Sequence, residues 1–495
     1  MMVNEKLHNR GICVVIPTYN NVGTIADVVR QTLAVCMDVI VVNDGSTDGT
    51  AAVLRSMAGI TLVDYKRNRG KGYALKTGFR KALEMGFAYA ITLDGDGQHY
   101  PHDIPRLLKA NQQHPGALIV GRRNMTGVQR SRGSRFANGL SNVWFYVQTG
   151  CWLDDTQTGF RLYPLRKLHG LALLTARYEA ELALLVMASW HGVRLVSVPV
   201  DVYYPPRGRR VSHFRPWRDF MRISLLNTVL CLLAVVYGWP LRLLRWLADV
   251  VRTVYSVLFV LFFSCCVITP AVCLYVRTGR MTEGKRRRLH GVIYHALRFV
   301  MIRHGIPGTR FTYRVSPKVS FGQPTVIISN HQSHLDLACQ LIFTPRMVVL
   351  TNQWVWHNVL YGCLIRHAEF YPVADGIDAL MPRLRSLVAR GYSIAVYPEG
   401  TRSSDGSIGR FHQGAFYMAQ ELGLDITPMC LYGPGRILPK GTYWLNRGPI
   451  HVEVGDPIGR EALRRMGDVR GQASAMRRYY VRWYEQLCNE MDRYV

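Results

Sequence analysis

The sequence predicts an α/β protein of two domains joined by an apolar, membrane-associated stretch, and three observations predict it. From Ile12 to about Val202, short β-branched runs (CVVIP, DVIVVND, AYAITLDGD, GALIVGR, RLVSVPV) alternate with helical patterns such as Thr24 to Val35 and Tyr73 to Met85. That alternation is the signature of a mainly parallel sheet with crossover helices. Next, Ile223 to Trp239 is apolar apart from Asn227, and Val254 to Val276 runs for 23 residues without a charge. Finally, from about Leu289 to Val495 strand-like runs (TVIISNH, RMVVLTN, SIAVYPEG, IHVEVGD) again mix with helical stretches and close on an amphipathic tail. The expected boundaries are 1–220, 221–280 and 281–495.

Length and composition agree with this division. A chain of 495 residues is long enough for two or three cores of ordinary size. Hydrophobic residues make up 48% and charged residues 19%, too apolar a mixture for disorder. The net charge of +28 suits either nucleic acid or anionic lipid. Position decides: six arginines lie between Arg207 and Arg222, before one apolar stretch, and Lys285 to Arg288 follow the other. Basic residues flanking apolar runs point to a membrane partner and away from nucleic acid.

The second apolar run is long enough to cross a hydrocarbon core of about 30 Å at about 1.5 Å per residue. Arg242, Arg245 and Arg252 fall in the connection, which leaves two topologies open, a hairpin of two crossings or one segment lying in the interface. The eleven cysteines form no CxxC pair and no metal-type spacing with histidine, so reduced thiols are expected. The polar lead MMVNEKLHNRG passes into a strand without a signal-peptide pattern, so the first domain is expected to stay in the cytoplasm.

Two constellations carry chemistry. In the first, one strand ends in Pro17, Thr18, Tyr19 and Asn20 and another in Asn43 and Asp44, where an open α/β sheet meets its ligand. Asp44 could accept hydrogen bonds from a uracil or guanine edge or a ribose, while the Gly-Ser-Thr-Asp run that follows it fits a turn and helix cap. In LDGDGQH, Asp94 and Asp96 bracket a glycine, a carboxylate pair able to hold Mg²⁺ or Mn²⁺ and through it a diphosphate.

Taken in order, IPTYNN, VNDGSTDGT, RNRGKGYALKTGF, LDGDGQH and DTQTGFR resemble the family 2 glycosyltransferases, especially the dolichyl- and polyprenyl-phosphate sugar transferases. The resemblance implies a GT-A-like fold that takes a nucleotide sugar. It implies donor contacts from Pro17, Tyr19, Asn20, Asp44, Gly70, Lys71 and Asp94, metal binding by Asp94 and Asp96 with Gln98 nearby, and acceptor binding by Arg161. The metal and arginines would stabilise the departing nucleoside diphosphate while an acceptor oxygen attacks the anomeric carbon. A hydroxyl acceptor would need a base, for which Asp155, Glu179 and Glu181 are the candidates.

The second constellation is TVIISNHQSHLD, where His331 follows an apolar strand and Asp336 comes five positions later. A carboxylate there can hold the imidazole in one tautomer, leaving the other nitrogen to take a proton from a hydroxyl. A further strand ends in Glu399, Gly400, Thr401, Arg402 and Ser403. NHQSHLD and YPEGTRS together resemble the lysophospholipid acyltransferases over about Gly305 to Gly459. The resemblance implies His331 as general base oriented by Asp336, with Glu399 completing the catalytic set. Gly400, Thr401 and Arg402 would bind the acceptor, and an acyl-CoA or acyl carrier protein thioester would be attacked directly, with no cofactor. EFYPVADGID lacks the arginine usual in glycerophosphate acyltransferases, which favours a sugar or other lipid hydroxyl as acceptor.

The expected function is therefore a bifunctional enzyme of the bacterial inner membrane, its domains facing the cytoplasm. It would glycosylate a lipid or lipid phosphate and acylate a hydroxyl of a glycolipid. The alternatives are a polyprenyl-phosphate sugar transferase fused to an independent phospholipid acyltransferase, and an inactive membrane or nucleic-acid scaffold.

Overall fold

A computed structural model describes residues 7–8, 10–124, 132–171, 177, 179–203, 216–263, 280–358, 362–373, 376–404 and 406–492. The chain divides into two compact units, Met1–Trp246 and, but for the C-terminal residues, Leu247–Met491. The expected α/β class holds in both.

The first unit is built on a seven-stranded sheet in the order β3-β2-β1-β4-β6-β5-β7. Strand β1 (Ile12–Thr18) is buried along its whole length, as is β2 (Val39–Asn43). Both therefore read as unbroken apolar runs, because both faces of the sheet are covered. Cys13 and Val15 enter one core while Ile12, Val14 and Ile16 enter the other, the two-residue period of a strand feeding two layers. β1 pairs in parallel with β2 and with β4 (Tyr89–Thr92), and β2 with β3 (Ile60–Asp64). β6 (Arg161–Pro164) runs antiparallel to both β4 and β5 (Leu118–Arg123), and β5 pairs in parallel with β7 (Leu195–Val200). The helix Lys71–Glu84 lies so close to the sheet that a Cβ at Gly78 would meet Val15 Cγ1 at 2.4 Å.

The second unit has a six-stranded sheet in the order β10-β11-β9-β12-β13-β8. β9 (Val326–Ser329) is central, parallel to β11 (Ser393–Val396) and β12 (Ile426–Tyr432), with β10 (Met347–Val349) outside β11. β13 (Gly448–Val454) is antiparallel to β12 and parallel to β8 (Thr309–Val315). Ile327 faces one core and Val326 and Ile328 the other. The C-terminal helix Val469–Asp492 closes the second face through Ala473, Met476 and Tyr480. Its Tyr480 hydroxyl donates to the Ile328 carbonyl at 2.7 Å and accepts from the Met429 amide at 2.9 Å.

Between the sheets the expected pair of apolar segments takes another form. Met221–Phe262 is one continuous apolar helix of 42 residues, with a π-helical stretch at Ala234–Gly238. At about 1.5 Å per residue it is about 63 Å long, roughly twice a hydrocarbon core. Arg242, Arg245 and Arg252 lie within its Trp239–Phe262 part, not on a connection. Arg245 donates to the Trp190 carbonyl at 2.6 Å, and Arg252 to that of Leu445. Leu225, Leu232, Val236, Leu244, Val251 and Phe262 are exposed along it. Residues 264–276 of the second predicted segment, with Cys265 and Cys266, lie outside the described residues.

Candidate active sites

In the first unit the functional side chains gather at the carboxyl ends of β1, β2 and β4. Asn20 turns the chain there with φ of 52°. Its amide donates to Ser46 Oγ at 2.9 Å, and its Oδ1 accepts from the Thr47 amide at 2.8 Å. The PTYNN and DGSTD loops are thus tied together. Pro17 lies in β1 opposite Val42 and is buried, so it shapes the strand end and offers no face to a nucleotide.

Asp44 holds a loop distant in the chain, while in the run that follows it is Asp48 that accepts from the Thr50 amide, at 3.0 Å. Asp44 Oδ1 accepts from the Arg69 amide at 2.8 Å and its Oδ2 from the Gly70 amide at 2.7 Å. The carboxylate thereby holds the loop that opens helix Lys71–Glu84. Burial pushes its carboxyl above the ordinary value, against the pull of those two bonds. The close approach requires Gly45, whose added Cβ would lie 2.5 Å from the Arg67 carbonyl carbon.

Lys71 is the hub. Its Nζ lies 2.7 Å from Asp94 Oδ1 and 2.9 Å from Glu181 Oε2, with only 16% of the side chain exposed. Burial works to lower the lysine pKa, yet the two carboxylates outweigh it and hold it above the ordinary value. Asp94 is held below its ordinary value in return, because Lys71 overcomes the opposing effect of burial. Asp96 is half-buried, and its Oδ1 accepts from the Gln98 amide at 3.0 Å.

His99, which the motif reading passed over, is 5% exposed, and its Nδ1 has no hydrogen-bond partner. Burial pushes its pKa down to about 4, opposed by Asp94. Its signal was adjacency to LDGDGQ. Asp94 and Asp96 offer oxygen donors of the kind that suits Mg²⁺ or Mn²⁺, but together with His99 they do not form a close-set group of three ligand atoms in this structure. Among the described residues the group whose ligand atoms do lie close enough to share an ion is His102, Asp103 and Asp201, and there Arg106 already bridges the carboxylates at 2.9 and 3.1 Å.

Two predicted residues turn out to be framework. Arg161 is wholly buried, donating to Tyr163 Oη at 3.2 Å, the Glu181 carbonyl at 2.9 Å and the Thr156 carbonyl at 2.8 Å. It braces the floor of the site and presents no surface to an acceptor. Asp155 is 3% exposed and meets Arg123 in a fork, Oδ2 to Nε at 2.6 Å and Oδ1 to Nη2 at 2.9 Å. Both of its oxygens are thus committed to the guanidinium. Glu181 differs, since its Oε1 is buried without a hydrogen-bond partner beside Lys71.

In the second unit the turn after β9 brings His331 and Asp336 together. His331 Nδ1 lies 2.8 Å from Asp336 Oδ2, and the same oxygen accepts from the amides of Gln332 at 2.6 Å and Ser333 at 2.8 Å. Asp336 is fully buried at the start of helix Asp336–Leu341. This fixes Nδ1 as the protonated nitrogen and leaves Nε2 as the acceptor. The ring stacks on Tyr397, centroids 4.0 Å apart.

Glu399 ties the second motif to the first. It is 7% exposed, with Oε1 accepting from the His331 amide at 2.8 Å and Oε2 from the Gly409 amide at 2.7 Å. Burial raises its pKa. It clamps two loops together. The Ser403 amide donates to the His331 carbonyl at 2.8 Å, bringing the second motif to the first. Gly400, with φ of 67°, and Thr401 are exposed, and Arg402 is half-buried near enough to His334 to help lower its pKa, after burial.

A nucleotide-type α/β site and a histidine–aspartate centre thus define two transferase domains. Known families agree: residues 13–160 match the model "Glycosyl transferase family 2" and residues 310–432 match "Acyltransferase". The chain therefore contains a family 2 glycosyltransferase domain and an acyltransferase domain like those of the 1-acylglycerol-3-phosphate acyltransferases. A UDP-N-acetylglucosamine–dolichyl-phosphate N-acetylglucosaminyltransferase of Methanococcus voltae is 28% identical over 39% of this chain and 86% of its own. A chloroplastic 1-acyl-sn-glycerol-3-phosphate acyltransferase of Brassica napus is 33% identical over 27% of this chain, which spans only 41% of that relative. Among solved structures, the 1-acyl-sn-glycerophosphate acyltransferase of Thermotoga maritima aligns with 48% of this chain and 98% of its own, at 17% identity and a TM-score of 0.40.

Proposed function

We propose that the chain is a bifunctional, membrane-associated enzyme of lipid biosynthesis. The first domain transfers a sugar from a nucleotide donor to a lipid or lipid phosphate. The second moves an acyl chain from acyl-CoA or acyl carrier protein to a hydroxyl of a glycolipid. The observation that carries this reading is the presence of two complete polar centres, Lys71–Asp94–Glu181 and His331–Asp336, on one chain with an exposed apolar helix.

In the first centre Asp94 and Asp96, with His99 beside them, would hold a divalent metal. The metal would neutralise the diphosphate leaving group. Asp44 and Gly70 shape the donor loop, and Lys71 supplies a further positive charge. Glu181 is the best-placed group to receive a proton from a hydroxyl acceptor. In the second, Nε2 of His331 takes the proton of the acceptor hydroxyl as its oxygen attacks the thioester carbonyl. The thiolate then leaves with that proton. Arg402 stands at the same turn to bind an anionic acceptor group. The apolar helix would anchor both domains in the inner membrane, facing the cytoplasm.

A second reading keeps both activities but separates their products. The names of the two relatives above, a dolichyl-phosphate sugar transferase and a glycerophosphate acyltransferase, favour it. Mass spectrometry of lipids from cells expressing wild type, Asp96→Ala and His331→Ala tests both. A lipid that loses its sugar in the first variant and is one acyl chain short in the second supports the joint product. Two unrelated lipids, each affected by one substitution, support the separate reading, and no change in any lipid rejects both.

A further inference from the structure

The geometry points to a second anion site in the acyltransferase domain, a basic cleft that binds the phosphate groups of the acyl donor. The cleft measures about 470 Å³ and is lined by Arg410, Arg470, Arg477, His412, Gln413 and Ser474, with no carboxylate among its lining residues. That is within the size range of small-molecule sites, roughly 300–1,000 Å³. The guanidinium groups of Arg410 and Arg470 make no ion pair or hydrogen bond among the described residues. Arg477 is held in place by its Nε, which donates to the Gly409 carbonyl at 2.9 Å. Three like charges around one small cavity repel each other, a cost that a bound polyanion removes.

The backbone adds to the field. Gln413 immediately precedes helix Gly414–Leu422, and Arg470 lies in the first turn of helix Val469–Asp492, so two helix amino ends meet at the cleft. The wall is joined to the catalytic turn by two bonds: the His412 amide donates to the Pro398 carbonyl at 2.7 Å, and the Gly409 amide to Glu399 at 2.7 Å. The cleft shares no residue with the His331–Asp336 centre and none with Arg402. A pantetheine-linked thioester has this requirement, because its flexible arm keeps the phosphate well away from the reacting carbonyl. Coenzyme A and an acyl carrier protein both bear a phosphate at the end of that arm, so the shared ligand chemistry is the pantetheine phosphate.

The inference rests on reading the second domain as an acyltransferase that uses such a thioester. Calorimetry on the detergent-solubilised full chain tests it without turnover, comparing wild type with the Arg410→Ser/Arg470→Ser double variant. Both arginines are exposed, so folding is not at stake. Coenzyme A should bind the double variant roughly tenfold or more weakly, as expected for lost charge-assisted bonds, while pantetheine without phosphate binds both alike. The KM for acyl-CoA should rise in step, and that for the acceptor should not. Competition by 3′,5′-ADP would assign the site to coenzyme A, and competition by 4′-phosphopantetheine alone to a carrier protein. Equal coenzyme A and phosphopantetheine binding by both proteins, or a rise confined to the acceptor KM, overturns the proposal. Failure of the wild type to transfer acyl groups is a separate result, which removes the reading beneath it.

Discussion

His331 and Tyr397 lie face to face, their ring centroids 4.0 Å apart and their planes 18° from parallel. Asp336 fixes one nitrogen of the imidazole, and the phenol ring fixes its plane, so the ring proposed as the base is held from two directions. The Tyr397 hydroxyl is buried without a hydrogen-bond partner, and burial keeps it well above its ordinary pKa. The ring, not the hydroxyl, is therefore the useful part. Tyr397→Phe should acylate within about threefold of wild type, whereas Tyr397→Leu should lose on the order of tenfold or more in kcat as the imidazole tilts. Steady-state acylation with the pH profile of each variant checks this.

Lys71→Met should separate charge from shape at the glycosyl site. It leaves Asp94 and Glu181 facing one another without the cation between them, and breaking a buried pair from one side costs about 3–5 kcal/mol. Denaturant unfolding of the full chain measures the loss. Its pH dependence is signed: the folded pKa of Asp94 lies below the ordinary value, so its contribution is present above that value and lost as pH falls. The variant should lack that part of the acid sensitivity.

His290 gives the second unit an acid-sensitive joint. It is 3% exposed, with Nε2 lying 3.0 Å from the Ala368 carbonyl, and burial pushes its pKa from 6.5 down to about 4. A histidine kept neutral by folding stabilises above its unfolded pKa and loses that contribution as pH falls through the folded one. Between about pH 6.5 and 4 the loss should approach roughly 3 kcal/mol. In His290→Gln, which can still donate but does not titrate, Tm should change less over the same interval.

Gly159→Ala should silence one activity and spare the other. Its Cβ would fall 2.5 Å from Asp94 Oδ2 and 2.9 Å from Lys71 Nζ, so both side chains must move out of their present positions. Sugar transfer should drop at least about a hundredfold, in line with the sensitivity of positioned groups to small displacements. Acyl transfer measured on the same preparation should stay near wild type.

The sequence made the strands and the motif residues legible because both are local. Apolar runs buried on two faces announce themselves, and His331 and Asp336 are five positions apart. Partners distant along the chain were not legible. Arg123 engages Asp155 across 32 residues and Glu399 reaches the His331 amide across 68, so the sequence did not show that both motif carboxylates hold loops in place. A buried charge and a catalytic charge look alike until their hydrogen bonds are known. The arginines at 242, 245 and 252 read as a loop for a related reason. Charge suggested water, whereas Arg245 and Arg252 spend theirs on carbonyls.

The Glu399 clamp also constrains how such a domain can diverge. One side chain binds the amide of the catalytic histidine with one oxygen and a glycine in a later loop with the other, so the two loops share a single fixed length of reach. An insertion or deletion in either loop would pull the carboxylate off one amide and shift the imidazole with it. The segment between β9 and helix Asp336–Leu341, and the one from Glu399 to Gly409, are therefore bound to conserve their residue number together, while loops outside this clasp are free to grow or shrink.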